Sequence, residues 1–415
     1  MKDLVVVGGG PGGSMAAATA TQNGCDVTLI EKGVDREERD CLGADSTDAA
    51  GFLDYWLNLV SFEKNDFPVM QDLECAEFIT ADEKTRFSSD RLGSNLTGVG
   101  FTFDRVEMDD MLREKAENEG VEFRVGDRVQ NVDSKIDSDG HRHKVELEDE
   151  TIESRYVVLA DGAGRSVTIP AISQFYSAAD GIMRGDCNHI GYQEYRRLPD
   201  ELYEPHVLKF WWGYTPGEMS YVWNFPNKNN ICRIGITMPK GSGEDQPSHY
   251  VHKVIDEVYG QELPFVEDKG KSLGREACPI SSTRPIDSPV DAGIATVGGA
   301  MGATSAFHEG GYHLALATGE IAGDLVSKNC LGGYNRAWKN RVGGEIRKNI
   351  AMYNMFKDYD RGDWTRLFKT ANVTYRRRSP DLYSAYQIPK LWLEYQRELW
   401  NEKDFVKIHE YEYSY

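Results

Sequence analysis

Three glycines near the start of the chain, Gly8, Gly10 and Gly13, stand in the pattern G-x-G-x-x-G, and a carboxylate, Glu31, follows about 20 residues on. Residues of these types at this spacing suit a dinucleotide. Gly8 allows a tight turn, Gly10 lets the backbone approach a pyrophosphate, and Gly13 permits close contact between helix and strand. A carboxylate at Glu31 can accept hydrogen bonds from ribose hydroxyls, which favours FAD or NAD over NADP. The glycines work only if a strand delivers them and a helix leaves them. Leu4-Val5-Val6-Val7 reads as a strand buried on both faces, and Ser14 to Gln22, rich in Ala and Thr, as a helix that packs close to a sheet. Asp26 to Glu31 is a second buried strand, so the first 31 residues form one βαβ unit.

The chain has 415 residues, which suggests two or three domains. Hydrophobic residues at 40% and charged residues at 27% exclude a disordered or fibrous protein. With 47 basic against 67 acidic side chains the formal charge is −20, which argues against a nucleic-acid surface. Such a charge suits a salt-rich cytoplasm or simple solubility. No run of about 18 apolar residues spans a bilayer, and Met1-Lys2-Asp3 leads straight into a strand, unlike a signal peptide. The seven cysteines are scattered and never C-x-x-C, which reads as a reduced intracellular chain with no metal or cluster site. The expectation is a soluble cytoplasmic enzyme.

Further along, residues 51–100 show no clean period and read as an insertion outside the nucleotide fold. Asp104 to Gly120 is a helix with a glycine C-cap, Val121 to Val125 a strand, and 141–160 a strand pair. From about 170 to 280 the pattern is aromatic and strand-like, as in a mostly antiparallel sheet that covers a ligand. Ile294 to Val297 is a last buried strand, Gly298 to Gly302 a second glycine-rich turn, and about 310 to 327 a helix. Residues 331–415 read as helices.

Three stretches resemble the FAD motifs of the glutathione-reductase-like flavoproteins: VVVGGGPGGSMAA…LIEK, then Arg105-x-x-Met108-Asp109-x-x-Leu112, then Val158 to Ser166 (VLADGAGRS). Tyr221-x-Trp223-x-Phe225-Pro226 resembles an element of the geranylgeranyl reductases, and residues 297–323 are similar to their last FAD motif. Tyr334-Asn335-x-x-Trp338 resembles the element that follows it. The resemblance implies an α/β fold, with a Rossmann-like FAD-binding domain and an antiparallel-sheet substrate domain before a C-terminal helical region. The expected division is 1–60, 101–166 and 284–330 for FAD, 61–100 and 167–283 for substrate, and 331–415 for the helices.

Carried over residue by residue, the resemblance puts Gly8, Gly10, Pro11, Gly12 and Gly13 at the phosphates and Glu31 and Lys32 at the ribose. Cys41, Leu42 and Gly43 form a loop beside the flavin, and Arg105 reaches the ribose and pyrophosphate. Val129 contacts the adenine, Asp161 belongs to the third motif, and Gly311 and Tyr312 start a helix under the pyrimidine ring. There are departures. Gly299 stands where the family has an aspartate that bonds the ribityl chain, Ala306 replaces a proline, and Glu309 replaces a glycine. Cys41 is either a reactive thiol at the flavin or a small buried hydrophobe. His308 is either a protonated group that stabilises reduced flavin or half of a solvated pair with Glu309.

Tyr221, Trp223 and Phe225 alternate and so share one strand face, which either lines an apolar tunnel or belongs to the core. The resemblance implies an FAD-dependent reductase that saturates double bonds of prenyl chains, with NAD(P)H or ferredoxin as electron donor and an isoprenoid lipid as substrate. A peripheral membrane contact through Arg376, Arg377, Arg378 and nearby basic residues fits that substrate, against the ordinary reading of a solvated charged face. Alternatives are a monooxygenase or halogenase of the same superfamily, an electron-transfer flavoprotein, or a flavin-binding paralogue without activity.

Overall fold

The computed structural model describes residues 1–34, 51–88, 98–137, 140–174, 188–268, 271–272, 274–375 and 382–406. Its first sheet is built around the strand Lys2–Val7, whose residues Leu4, Val5 and Val6 are fully buried. Val6 lies opposite Leu29 of Val27–Glu31 on one side and Val158 of Thr151–Leu159 on the other, all parallel. The order runs Val290–Asp291, Ile294–Thr296, Thr151–Leu159, Lys2–Val7, Val27–Glu31, Glu122–Val125, and an antiparallel hairpin, 131–137 with 140–146, extends from Thr151–Leu159. Parallel strands need helical crossovers. Pro11–Gln22 is one, and Arg105–Asn118 leads into Glu122–Val125, with Asp104 capping its start by accepting from Glu107 N at 3.0 Å. Gly120, at φ +99°, ends that helix in a conformation that favours glycine.

The helix Tyr312–Ser327 packs backbone against backbone on Pro11–Gln22. A Cβ at Gly319 would lie 2.0 Å from the Gly12 carbonyl, and one at Gly323 would lie 2.3 Å from that of Ala16. The Ala- and Gly-rich composition of both helices therefore serves a close crossing. It fixes the start of the later helix against the first glycine turn.

A second sheet of seven strands has the order Arg275–Ile280, His189–Arg197, Ile231–Pro239, Tyr221–Pro226, Val207–Trp212, Cys75–Ile79, Lys84–Ser88. It is antiparallel except where Val207–Trp212 meets Cys75–Ile79. Residues 51–100, without a readable period, supply two of its strands and most of a three-stranded sheet, Gly51–Leu53, Gly100–Phe103 and Val69–Leu73. These strands are only 3 to 5 residues long, too short to display alternation. One face of the seven-stranded sheet, with Val222, Ile234 and Ile236, packs on Val251, Val254 and Ile255 of the helix Pro247–Tyr259. The opposite face carries Tyr221, Trp223 and Phe225 into the main core. Four helices follow: Tyr334–Arg341, Gly343–Phe356, Arg361–Tyr375 and Leu382–Asn401. Fully buried Tyr334 and Trp338 anchor the first of them, with Tyr334 donating to the Thr296 carbonyl at 3.0 Å.

Candidate functional site

A cavity of about 620 Å³ opens where the carboxyl ends of the parallel strands meet the seven-stranded sheet. Gly8, Gly10, Pro11 and Gly12 form part of its wall. Gly8 has φ +105°, and a Cβ there would lie 2.4 Å from the Ala160 carbonyl; one at Gly13 would lie 1.9 Å from that of Gly8. Gly10 differs, since a Cβ on it would meet nothing within 4 Å and would point into open space. The helix that follows has no side-chain cap and no acid in its first turn, so the amides of Gly12 and Gly13 lack intrahelical acceptors. A diphosphate supplies what such a turn lacks. Gly162 and Gly164, which also border the cavity, likewise have nothing within 4 Å of a built Cβ. With Lys32, Arg105 and Arg128 bordering the same space, the chemistry of the wall fits an anionic dinucleotide such as FAD.

Glu31 borders the cavity, and its carboxylate accepts from Gly9 N at 2.5 Å and Gly33 N at 2.7 Å. Those bonds hold both the glycine turn and the end of its strand. Arg113, unremarked in the sequence, donates from Nε to the Gly9 carbonyl at 3.0 Å and braces the turn from behind. Arg105 pairs with Asp109 at 3.0 Å and lies 4.3 Å from the Tyr312 ring, whose hydroxyl donates to Asp109 at 2.9 Å. Burial pushes the Asp109 carboxyl up, and the Arg105 guanidinium opposes that shift.

Val129, Asp161, Gly299, Gly311 and Tyr312 also border the cavity. The Asp161 carboxylate, however, turns to the helix Thr168–Ile172, accepting from Val167 N at 2.7 Å, Thr168 N at 3.1 Å and the Thr168 hydroxyl. Gly13 packs inside the turn rather than on the cavity. Cys41, Leu42, Gly43 and Arg376 to Arg378 lie outside the described residues.

The structure corrects the expectation for His308. It does not border the cavity: its Nε2 faces the Tyr55 hydroxyl at 3.4 Å, and its ring lies 5.8 Å from that of Trp56. Burial pushes its pKa down to about 4, with Glu345 opposing, so the imidazole is neutral at neutral pH. Glu345 accepts from Tyr55 at 2.8 Å, Asn349 at 2.8 Å and Trp56 at 3.3 Å. A cationic His308 beside a flavin is therefore not what this loop builds. Its neighbour Glu309 borders the cavity instead, and His189, Thr237 and Ser282 hold it there. Glu309 at a usual glycine position was the available signal; nothing in the sequence singles out its three partners.

Tyr221, Trp223 and Phe225 are 4%, 6% and 8% exposed, and none borders the cavity. Trp223 and Phe225 stack at 5.9 Å, and Trp223 covers Gly235, where a Cβ would lie 2.3 Å from the indole. The indole N–H of Trp223 is buried without an acceptor among the described residues.

Residues 3–166 match the family of FAD dependent oxidoreductases. The chain is 30% identical to a digeranylgeranylglycerophospholipid reductase of Methanocella arvoryzae, over 86% of this chain and 85% of the relative. It is 26% identical to digeranylgeranylglycerophospholipid reductase 1 of Methanococcoides burtonii, over 85% and 83%. In fold it is similar to the crystal structure of a geranylgeranyl bacteriochlorophyll reductase-like protein of Thermoplasma acidophilum. That match has a TM-score of 0.75 and 18% identity, and covers 97% of this chain and 99% of the other.

Proposed function

Because the chain belongs to the digeranylgeranylglycerophospholipid reductase family, we propose that it saturates carbon–carbon double bonds in the geranylgeranyl chains of archaeal-type ether lipids. It is an FAD-dependent oxidoreductase. The observation that carries the lipid reading is the 26–30% sequence identity to these reductases along most of both chains.

The chemistry that FAD would supply, when bound and reduced, is a hydride for one carbon of the double bond; the other carbon needs a proton. The amides of Gly12 and Gly13 and the guanidinium of Arg105 would bind the diphosphate, with Glu31 and Lys32 at the ribose. Val129 would meet the adenine, and Gly311 with Tyr312 the ring. Cys41, Leu42 and Gly43 would close the loop beside it. An isolated alkene is a poor hydride acceptor, so the protein must exclude water and hold the bond in place. Tyr221, Trp223 and Phe225, which lie in the core and do not border this cavity, would meet the prenyl chain only beyond it. NAD(P)H or ferredoxin would supply electrons, and a peripheral membrane contact would deliver the lipid. Among the described residues, no helix is long and apolar enough to cross a membrane.

The test is anaerobic incubation of reduced holoenzyme with digeranylgeranylglycerophospholipid, followed by mass spectrometry. Two hydrogens gained per reduced bond are expected, and an unchanged lipid overturns the reading. Trp223→Ala should lower conversion at least about tenfold, the loss of ~1–3 kcal/mol of aromatic contact, with FAD content held. Equal loss of both would place Trp223 in the structural core alone.

A further inference from the structure

Glu309 adopts φ +56°, in the left-handed region that favours glycine. Its side chain is nevertheless 3% exposed and fully engaged. His189 Nδ1 lies 2.6 Å from Oε1, Ser282 donates to the same oxygen at 2.7 Å, and Thr237 donates to Oε2. The three partners come from separate segments: the strand His189–Arg197, the strand Ile231–Pro239, and the turn after Arg275–Ile280. A side chain disfavoured by its own backbone, held by three segments at the wall of a cofactor cavity, has the marks of a functional group.

The reaction above consumes a proton at a carbon with no polar neighbour in the substrate. Most titratable groups on the cavity wall are occupied otherwise. Arg105 and Arg128 do not give up protons at working pH, Asp161 caps a helix, Glu31 holds two amides, and the Tyr312 hydroxyl donates to Asp109. Lys32, placed at the ribose, Cys278 and Glu309 remain among the described wall residues, and Glu309 has a second proton-bearing group 2.6 Å behind it.

We propose that Glu309 and His189 hold one proton between them at the cavity wall, and that Glu309 delivers it to the double-bond carbon opposite the one that takes the hydride. The proposal rests on the reductase reading. The π bond breaks and two C–H bonds form, one from the hydride of the reduced cofactor and one from this proton. The cofactor is oxidised, and the pair, one proton short, recharges from water. His189, 1% exposed and not on the wall, acts through Glu309 as a positioning residue. The other titratable groups facing the pair are Tyr221 on its strand and Tyr353 on the helix Gly343–Phe356, whose ring lies 6.1 Å from that of His189, with Glu218 bonded to Tyr353 at 3.2 Å. Burial raises both tyrosines, with Glu309 adding to the shift at each and Glu218 adding more at Tyr353, so both stay protonated at neutral pH.

Two measurements on the holoenzyme test this. The first is a pH titration of the visible band of oxidised bound FAD, expected to shift with loss of one proton in the wild type and to stay fixed in Glu309→Gln. The second is anaerobic reoxidation of the reduced holoenzyme by digeranylgeranylglycerophospholipid in micelles. The wild-type rate should fall as pH rises through that titration and fall several-fold in D2O. Glu309→Gln, and Glu309→Gly, which also relieves the backbone, should keep FAD and dithionite reduction yet lose at least about a hundredfold in this rate. His189→Asn should lose less and move the pH limb. A wild-type rate in both Glu309 variants, or a band that never titrates, overturns the proposal. A Glu309-dependent titration with no reoxidation by the lipid overturns the reductase reading and the delivery step, and leaves the proton-holding pair standing.

Discussion

The cavity is bounded by two glycine-rich turns that solve opposite problems. In the first, Gly8 to Gly13, backbone crowds backbone: built Cβ atoms at Gly8 and Gly13 fall 2.4 and 1.9 Å from carbonyl oxygens. Only Gly10 opens outward. In the second, Gly298 to Gly311, side chains do the work. Glu309 reaches across to the seven-stranded sheet, and His308 turns away toward Tyr55. The first turn is a shape, and the second is a junction between sheets. A shape made of glycines depends on which atoms are missing, whereas a junction depends on partners brought in from elsewhere.

The largest effect expected from this contrast is at Gly10. Gly10→Val should leave the fold intact, because φ −74° and ψ −176° suit any residue and the side chain meets no protein atom. The branched group would fill the space of the diphosphate and break two or so charge-assisted bonds of ~1.5–3 kcal/mol each. A loss of about a thousandfold in FAD affinity is expected from titration of apoprotein. Unchanged affinity with an unchanged melting temperature would mean that no phosphate lies at this turn.

Gly13→Ala should do the reverse. Its methyl group would collide with the Gly8 carbonyl, and relief requires moving strand or helix. A loss of about 3 kcal/mol in urea unfolding is expected, at the upper end of overpacking costs. Together the two variants separate folding from binding within six residues.

This separation explains what could be read from sequence. The first turn, its strands and Glu31 are local, and buried β-branched runs with a glycine period announce them. The long helices 105–118 and 312–327 carry caps or small-residue faces and were equally legible. His189, Thr237 and Ser282 were not, because they meet Glu309 across separations of 120, 72 and 27 residues. No spacing rule links them. The strands within 51–88 were hidden for another reason, since segments of 3 to 5 residues are too short to show a period. His308 misled because the motif placed it beside the ring, whereas burial and Trp56 decide its charge and direction.

His308 gives a smaller effect that probes the second turn. Its folded pKa of about 4 lies below the ordinary 6.5, so the unfolded chain binds this proton first. Stability is therefore full above about pH 6.5 and declines as pH falls toward 4. The difference amounts to about 3 kcal/mol at most. Unfolding curves at several pH values should show this slope, and His308→Gln should remove its share while leaving FAD affinity at pH 7 nearly unchanged. A large loss of affinity would put His308 at the cofactor after all.

The smallest effect expected is at Gly299, where the family's aspartate is absent. An aspartate would offer the ribityl chain a charged acceptor, a contribution of roughly 1.5–3 kcal/mol. Taken alone, that would make Gly299→Asp bind FAD more tightly by one to two powers of ten. The packing opposes it. A Cβ at Gly299 would lie 3.1 Å from Ala163 N and 3.4 Å from the Gly162 carbonyl carbon, closer than side chains ordinarily approach backbone. Backbone must give by a few tenths of an ångström, and Gly162–Ala163 also borders the cavity, so the shift would disturb the wall that the new carboxylate is meant to improve. The two terms nearly offset, and the variant should bind FAD within about fivefold of wild type in an apoprotein titration, below about 1 kcal/mol. Tightening by more than tenfold would show that Gly162–Ala163 yields freely, and that the second turn keeps the older ribityl geometry despite its altered residues.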